Sequence, residues 1–362
     1  MVLNSNLYII GSAGIPARYG GFETFSENIA PEMTDSFKVH IACSSFVYDP
    51  EERSPSFGSV TRFFIPVHPN GIAGLWYDFR AIRYVMRACT AEDILLILGI
   101  GPGIFLPLIK PRIRGKIIIH TDGQEWKRKK WNAVVRIFLR ACRQLSWRMA
   151  DKLILDNQAL MEDLPSRYRK KAFLLGYGAD HLPQEAKAPE DMSGKYALVI
   201  ARAEPENQLD LILRTFQEMP EATLLVISNT AQTRYGRKML RKYSSCSNII
   251  FRGTIYNDAE LLHSYRKYCT VYIHGHSAGG TNPSLVEAIY CGLRIVAWDN
   301  RFNRSTTEEK AFFFSDRESL KKQLTDSFHQ TEDQNGDPIE EERKNDFSWK
   351  KIASDLKMLI QD

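Results

Sequence analysis

The 362-residue chain is 44% hydrophobic, 11% aromatic and 25% charged, an ordinary globular composition that excludes wholesale disorder and fibrous or mucin-like chains. No apolar run reaches the ~20 residues of a membrane-spanning helix, and the N-terminus lacks the features of a signal peptide. Six scattered cysteines without a C-x-x-C pair disfavour a zinc site or a disulfide framework and predict buried thiols in a reducing cytosol.

The net charge of +5 is concentrated in one part of the chain. Residues 110–148 contain twelve lysines and arginines but only two acids, so the rest of the chain is mildly acidic. Such a basic segment predicts an anionic partner, whether a phosphate, a nucleic acid or a membrane surface. Nucleic acid is disfavoured because no zinc finger, basic coiled coil or RNA-binding aromatic motif is present.

The first half of the chain alternates short apolar runs with helix-like segments, which predicts parallel βαβ units. The predicted strands are 7–10, 38–43, 94–98, 117–120, 153–155 and 173–175. A linker is predicted at 176–194, which is rich in Gly, Pro, Ala and acids.

The second half repeats the alternation. Its predicted strands are 196–201, 223–227, 249–251, 271–273 and 294–298, with helices at 260–268 and 283–290 among others. The sequence therefore predicts two doubly wound α/β domains, residues 1–178 and 179–346, with an exposed acidic loop at 331–346. A final helix, 347–362, is predicted to pack back on the N-terminal domain through one apolar face.

Tandem domains of this kind bind ligands at the carboxyl ends of their strands, so the predicted site is a cleft between the two sheets. The first motif that follows a strand is G-S-A-G-I-P-A-R-Y-G-G-F-E, residues 11–23. Gly20 and Gly21 at a helix N-terminus, together with Arg18, predict a phosphate site. The spacing matches neither a dinucleotide fingerprint nor a P-loop, and an ordinary βα turn is the alternative.

The second motif is H-T-D-G-Q-E-W-K-R-K-K-W, residues 120–131. Asp122 and Glu125 can each accept a proton or bind a sugar hydroxyl, and His120 is a candidate for substrate contact. The alternatives are that Asp122 caps the next helix and that Glu125 pairs with the lysines.

A basic helix is predicted next. Arg136, Arg140 and Arg143 share one face, and with Trp131 they indicate a membrane or acceptor surface. The other face holds Val134, Ile137, Phe138, Ala141 and Leu145, and Trp147 near the end of the helix adds to its interfacial character. A solvated face of an ordinary amphipathic helix is the alternative.

The second half holds two further motifs. In A-R-A-E-P-E-N, residues 201–207, Arg202 can bind a diphosphate unless it pairs with a neighbouring glutamate. In H-G-H-S-A-G-G-T-N-P-S-L-V-E, residues 274–287, a glycine loop opens a helix and predicts a second anion site, with Glu287 placed to bind ribose hydroxyls. The two histidines lack partner acids at metal-ligand spacing and are predicted to be loop or core residues.

These motifs resemble those of the two-domain GT-B glycosyltransferases of glycosyltransferase family 4. More narrowly, the chain resembles a bacterial rhamnosyltransferase group whose N-terminal domain carries the 11–23 motif. That group's D-G-x-E-W-K-R-x-K-W, P-E-N and G-G-T-N-P-S-L-x-E-A motifs fall at 122–131, 205–207 and 279–288. The resemblance is specific because four motifs occur in the right order and span most of the chain.

The resemblance implies a retaining hexosyltransferase with the GT-B fold and two Rossmann-like domains, independent of metal and of any cofactor. The implied donor is dTDP-rhamnose, bound by the C-terminal domain. The implied acceptor is a saccharide on polyprenyl diphosphate, bound by the N-terminal domain during cell-surface polysaccharide synthesis. It also implies a cytoplasmic enzyme, peripheral on an anionic membrane surface at the inner face of the plasma membrane.

The resemblance also implies roles for individual residues. The implied catalytic residues are Asp122, Glu125 and His120, with Asp122 orienting or deprotonating the acceptor hydroxyl. The resemblance implies that Glu287 binds the ribose and Arg202 the diphosphate of the donor. The full set of candidate donor-binding residues is Gly20, Gly21, Arg18, Arg202, Glu206, Thr281, Asn282, Ser284 and Glu287. The chain departs from the family pattern twice: Gly279 replaces the first glutamate of an E-x7-E motif, and Gln208 replaces a lysine.

Two alternatives stay open from the sequence. The first is transfer from another nucleotide-sugar, such as a UDP- or GDP-hexose, because the hexose pocket is built from loops. The second is a degenerate nucleotide-sugar-binding subunit, to which the two departures from the family pattern point.

Overall fold

The computed structural model of the chain describes residues 5–18, 20–128, 131–256, 258–329 and 344–361. The chain divides into two compact units. Unit 1 comprises Met1–Lys127, Trp131–Tyr177 and Trp349–Asp362, and unit 2 comprises Arg128–Lys130 and Gly178–Ser348. The predicted loop at 331–346 lies outside the described residues up to position 343.

Unit 1 is built on a mostly parallel sheet. Its strands are β1 (Asn6–Ile10), β2 (Lys38–Ser44), β3 (Ser56–Phe57), β4 (Val60–Ile65), β5 (Ile94–Leu98), β6 (Lys116–His120), β7 (Lys152–Leu155) and β8 (Ala172–Leu174). Their order across the sheet is β3-β4-β2-β1-β5-β6-β7-β8, with β3 antiparallel to β4. All five residues of β5 are apolar and buried, as expected for a parallel strand that is covered on both faces.

Helices cover this sheet. They are α1 (Gly21–Glu32), α2 (Gly71–Val85), α3 (Leu106–Ile109), α4 (Ala133–Met149), α5 (Gln158–Asp163) and α6 (Ser166–Arg169). Short 3-10 helices at Gly101–Ile104 and Glu125–Lys127 follow β5 and β6. The second of these 3-10 helices lies within the motif at 120–131, which therefore directly follows the end of β6.

Unit 2 has a parallel sheet of order β11-β10-β9-β12-β13-β14. Its strands are β9 (Tyr196–Ile200), β10 (Thr223–Ile227), β11 (Ile249–Arg252), β12 (Val271–His274), β13 (Ile295–Trp298) and β14 (Phe312–Phe314). Its helices are α7 (Leu209–Gln217), α8 (Arg234–Tyr243), α9 (Ala259–Lys267), α10 (Pro283–Tyr290), α11 (Arg301–Thr307) and α12 (Arg317–His329). Successive β9 residues alternate between two hydrophobic clusters, so both faces of the sheet are buried.

The final helix, α13 (Trp349–Gln361), belongs to unit 1 and packs on α1. The Trp349 ring lies 5.9 Å from the ring of Phe25 and 5.7 Å from that of Tyr177, centroid to centroid. Its buried face includes Trp349, Ile352, Leu356 and Leu359. The return of the C-terminal helix and the two-sheet α/β fold class are confirmed.

Candidate active site

The loop from β1 to α1 depends on glycine at two points. Gly11 has a φ of +97°, and an added Cβ would lie 2.1 Å from the carbonyl oxygen of Leu98. Gly20, with a φ of +149°, directly precedes α1, and an added Cβ would lie 2.0 Å from Glu23 Oε2. The glycines therefore let the chain pass close to β5 and to the acid in the first turn of the helix.

Glutamate side chains accept hydrogen bonds from main-chain N–H groups of this loop. Ala13 N–H donates to Glu23 Oε1 over 2.8 Å, and Ala17 N–H donates to Glu27 Oε1 over 3.1 Å. Arg18 forms an ion pair with Glu52. The loop is therefore less positive than its sequence indicates, and donor contact by Gly20, Gly21 and Arg18 stays a prediction.

His120, the last residue of β6, is buried. Asp122 N–H donates to its Nδ1 over 3.3 Å, so the ring proton is on Nε2. Burial lowers the pKa of His120 to about 4, which keeps the ring neutral near pH 7. No hydrogen-bond partner is recorded for the buried Nε2 among the described residues, so His120 is a neutral donor available to a substrate.

Asp122 adopts a left-handed backbone conformation with a φ of +57°. Its Oδ1 accepts a hydrogen bond from Gly123 N–H over 2.7 Å. Non-glycine residues held in this conformation are concentrated at functional sites, which supports the assignment of Asp122 to the site. Glu125 accepts a hydrogen bond from Trp131 Nε1 over 3.0 Å, so these two predicted residues are adjacent in unit 1.

The apolar residues Val134 and Ile137 at the start of α4 face outward and are 75% and 65% exposed. The buried residues of α4 are Cys142, Ser146 and Trp147. An added Cβ at Gly103 would lie 2.1 Å from the carbonyl oxygen of Cys142. This close backbone contact selects the side of α4 that holds small residues and turns the apolar start of the helix outward.

The three arginines of α4 have different surroundings. Arg140 is exposed and Arg136 is half-buried. The guanidinium carbon of Arg143 lies 4.1 Å from the ring centroid of Trp126 and 4.4 Å from that of Trp147. These two cation–π contacts place Arg143 at a cavity of about 240 Å³ within unit 1.

In unit 2, the loop after β9 places Arg202 at the surface and Glu206 in the interior. Asn207 Nδ2 donates to the main-chain oxygen of Arg202 over 2.7 Å. Burial, followed by the neighbouring Glu204, raises the pKa of Glu206, and Arg128 Nε lies 3.9 Å from its Oε1. Gln208 has a left-handed backbone conformation, with a φ of +50°.

The loop after β12 opens α10. Asn282 caps the helix by accepting hydrogen bonds from Ser284 N–H over 3.1 Å and from Ser284 Oγ over 2.8 Å. Tyr272 OH donates to Ser284 Oγ over 3.0 Å, and Thr281 Oγ1 lies 3.4 Å from Thr306 Oγ1. The predicted residues Thr281, Asn282 and Ser284 therefore form one hydrogen-bonded helix start, in which Ser284 N–H is already used.

Glu287 is buried in α10 and forms an ion pair with Arg266, while His181 Nε2 lies 3.6 Å from its Oε1. Burial alone would raise the pKa of Glu287, but Arg266 and His181 outweigh it and the pKa is lowered. Glu287 is therefore an ionised carboxylate in a fixed position.

His276 links three loops at the carboxyl edge of this sheet. Its Nδ1 lies 2.7 Å from Asn207 Oδ1, and its main-chain oxygen accepts hydrogen bonds from Asn300 and Asn303. Burial lowers its pKa well below the usual value, and burial also lowers the pKa of His274 to about 3. Both histidines are buried or half-buried neutral residues, as the sequence analysis expects.

Sequence reasoning missed several members of the two sites. Arg266 and His181, which hold Glu287, belong to no motif and come from α9 and from the segment predicted as a linker. Trp126 and Trp147 were not recognised as the two rings around Arg143. The spacing from Arg143 to Trp147, one helical turn, was a usable signal for the second of these contacts.

Comparison with known proteins agrees with this architecture. Residues 182–344 match the family described as glycosyl transferases group 1, and residues 4–180 match one described as a domain of unknown function, DUF1972. No curated protein matches the chain.

The chain is similar in fold to several solved structures. Sucrose-phosphate synthase from Thermosynechococcus elongatus has a TM-score of 0.77 at 14% identity, over 99% of this chain and 98% of that chain. An α,α-trehalose-phosphate synthase (UDP-forming) from Burkholderia xenovorans has a TM-score of 0.70 at 13% identity, over 99% of this chain and 100% of that chain. A second α,α-trehalose-phosphate synthase (UDP-forming), from Burkholderia vietnamiensis, has a TM-score of 0.71 at 10% identity, over 99% of this chain and 97% of that chain.

These likenesses define the fold class as GT-B, with two Rossmann-like units. The chain is a glycosyltransferase, with residues 182–344 matching the glycosyl transferases group 1 family, and the prediction of an enzyme is confirmed. Within the described ranges, no helix has the length and apolar composition needed to cross a membrane. The same ranges hold no group of three or more His, Cys, Asp or Glu placed to bind a metal ion.

Proposed function

We propose that the protein transfers an L-rhamnosyl group from dTDP-rhamnose, with retention of configuration, to a saccharide carried on polyprenyl diphosphate. The observation that carries the donor half of this proposal is Glu287, an ionised, buried carboxylate held by Arg266 in the glycosyl transferases group 1 domain. A fixed carboxylate accepts hydrogen bonds from a ribose diol without further reorganisation.

The leaving group is assigned to the neighbouring loop. β9 and β12 are adjacent, so Arg202, which follows β9, is on the same sheet edge as the start of α10. As the bond between the anomeric carbon and the diphosphate breaks, negative charge grows on the departing diphosphate. The exposed Arg202 guanidinium stabilises that charge with charge-assisted hydrogen bonds.

The acceptor is assigned to unit 1. The acceptor oxygen forms its bond to the anomeric carbon on the face from which the diphosphate leaves, and Asp122 orients or deprotonates that hydroxyl. His120, neutral and with an Nε2–H that has no partner in the described part of the chain, donates to a sugar oxygen without adding charge. Glu125 remains a candidate because it lies beside these residues in the chain and hydrogen-bonds Trp131.

Peripheral membrane association is proposed for the start of α4. Val134 and Ile137 are exposed, and Arg136 and Arg140 lie on the same helix segment. Apolar side chains next to cations are typical of helices that dock on anionic lipid surfaces. The proposal includes a position at the cytoplasmic leaflet, where the enzyme would meet a lipid-linked acceptor.

A UDP-hexose donor is the second candidate, because the trehalose-phosphate synthases of similar fold are described as UDP-forming. The experiment that separates the two measures the melting temperature of the full chain with dTDP-rhamnose, UDP-glucose, UDP-galactose and GDP-mannose. We expect dTDP-rhamnose near 100 times its Kd to stabilise the protein by about 2.7 kcal/mol. A larger shift with a UDP-hexose would favour the second candidate, and no shift with any nucleotide-sugar would reject the donor assignment.

A further inference from the structure

The cavity in unit 1 lies at the carboxyl ends of β6 and β7, between α4 and α5. It is lined by Thr121, Asp122, Gln124, Trp126, Lys127, Arg143, Trp147, Leu155, Leu160 and Asp163. Its volume of about 240 Å³ is below the roughly 300–1,000 Å³ that is usual for sites of drug-sized ligands. The cavity therefore has the size for a small ligand, such as a single sugar ring.

Two hydrogen-bond donors in this wall are buried and have no acceptor among the described residues. Trp147 is only 6% exposed, and neither its Nε1–H nor the Nε–H of Arg143 has a recorded hydrogen-bond partner in the described part of the chain. Buried indole and guanidinium donors are normally satisfied. Both residues line the cavity, so the acceptor that they lack is expected to be an oxygen of a ligand.

The charges around the cavity favour a neutral ligand. Arg143 and Lys127 are balanced by Asp122 and Asp163, and Asp163 Oδ2 also accepts a hydrogen bond from Gln124 Nε2 over 2.5 Å. Because these charges balance, a phosphate gains no net attraction here, whereas a polyol offers hydroxyl groups that both donate to the carboxylates and accept from the tryptophan and arginine.

We propose that this cavity binds one neutral sugar ring of the acceptor saccharide, with Trp147 Nε1–H and Arg143 donating to its oxygens and Asp163 accepting from a hydroxyl. The proposal rests on the proposed function and assigns the substrate class to a site that also contains Asp122. A ring bound here places another hydroxyl of the saccharide at Asp122 for reaction.

The test uses the full chain and four probes: the methyl glycosides of L-rhamnose, D-glucose, D-galactose and N-acetyl-D-glucosamine. Calorimetry measures their affinities, with inorganic diphosphate as the anionic competitor. Trp147→Phe keeps the ring and removes the N–H, and Arg143→Met removes the guanidinium. Trp76→Phe and Arg148→Met, at exposed positions of unit 1 outside the cavity lining, are the matched controls.

We expect at least one glycoside to bind, and each cavity variant to weaken it roughly tenfold, about 1.4 kcal/mol, with the controls unchanged. Asp163→Asn, which preserves shape, is a second test if a tryptophan or arginine variant unfolds. Binding of no glycoside, preferential binding of diphosphate, or equal glycoside affinity in the cavity variants would overturn this inference. Failure of the proposed function is separate: glycoside binding would persist while no nucleotide-sugar is consumed.

Discussion

The two glycine-rich loops, from β1 to α1 in unit 1 and from β12 to α10 in unit 2, both place glycines before a helix. They differ in the charge of the side chains that accept hydrogen bonds from their N–H groups. In the first, Glu23 and Glu27 accept hydrogen bonds from loop N–H groups. In the second, the neutral Asn282 caps the helix, and the acid that follows, Glu287, is paired with Arg266. Glycines before a helix thus indicate a close backbone approach, whereas acidic side chains that accept hydrogen bonds from the loop N–H groups reduce the ability of the loop to bind an anion.

The largest expected effect is at Glu287. Glu287→Gln removes the charge proposed to bind the ribose and leaves Arg266 buried without its partner, so we expect loss of sugar transfer and a destabilisation of about 3–5 kcal/mol. Turnover and urea unfolding measure the two effects. The double variant Glu287→Gln with Arg266→Met should recover stability without recovering activity; recovered activity would show that Glu287 serves only the fold.

Arg202→Met tests the diphosphate assignment on the same sheet. Arg202 is exposed, so folding should not change, whereas kcat/KM for the nucleotide-sugar should fall by about 100-fold or more. Arg214→Ala, on the surface of α7, is the matched control because its ion pair with Glu218 is exposed and contributes little. Equal kinetics for Arg202→Met and the control would rule out the assignment.

His120 predicts an acid-dependent stability. Its folded pKa of about 4 lies below the unfolded value near 6.5, so protonation favours the unfolded chain. Its contribution is complete above pH ~6.5 and is lost as the pH falls towards 4, on the order of 3 kcal/mol in total. His120→Asn should flatten this part of the stability curve, measured by urea unfolding at pH 7.5 and 4.5; an unaltered slope would contradict the prediction.

Glu23→Gln tests the difference between the two loops directly. Loss of one charge-assisted hydrogen bond to Ala13 N–H should lower stability by about 1 kcal/mol, and the nucleotide-sugar KM should not change. The readouts are the urea midpoint and the KM. A clearly lower KM would mean that the carboxylate repels a diphosphate bound at this loop, and the donor prediction for Gly20 and Gly21 would gain support.

The last substitutions concern the start of α4. The pair Arg136→Gln and Arg140→Gln should weaken co-sedimentation with anionic vesicles by about 1 kcal/mol per charge. The control pair Lys238→Gln and Arg241→Gln removes the same charge from exposed positions of α8 in unit 2. Equal losses for both pairs would indicate a non-specific charge effect and remove the case for docking through α4.

The sequence predicted elements best where the pattern was regular. The apolar run of β5 and the start of α10, with Asn282 before Pro283, were placed correctly. β4 was missed because its buried Arg62, which donates to three main-chain oxygens, interrupts the apolar pattern. A buried arginine that is satisfied by distant carbonyls leaves no local signal.

The candidate sites show the same limit. His120 and Asp122 were found because a strand end and a motif coincide, whereas the outward turn of Val134 depends on Gly103, about 30 residues earlier in the chain. Arg266 was missed because its pairing with Glu287 brings together residues of two different helices. Contacts between distant segments are set by packing, which sequence periodicity does not encode.

The most direct test of the account is hydrogen exchange, read by mass spectrometry, with and without dTDP-rhamnose. We predict that the donor protects peptides covering 201–208 and 275–290 in unit 2, and additional protection of 11–23 would support donor contact by Gly20 and Gly21. Protection confined to 11–23, with the unit 2 peptides unaffected, would contradict the assignment of the donor to Arg202 and Glu287.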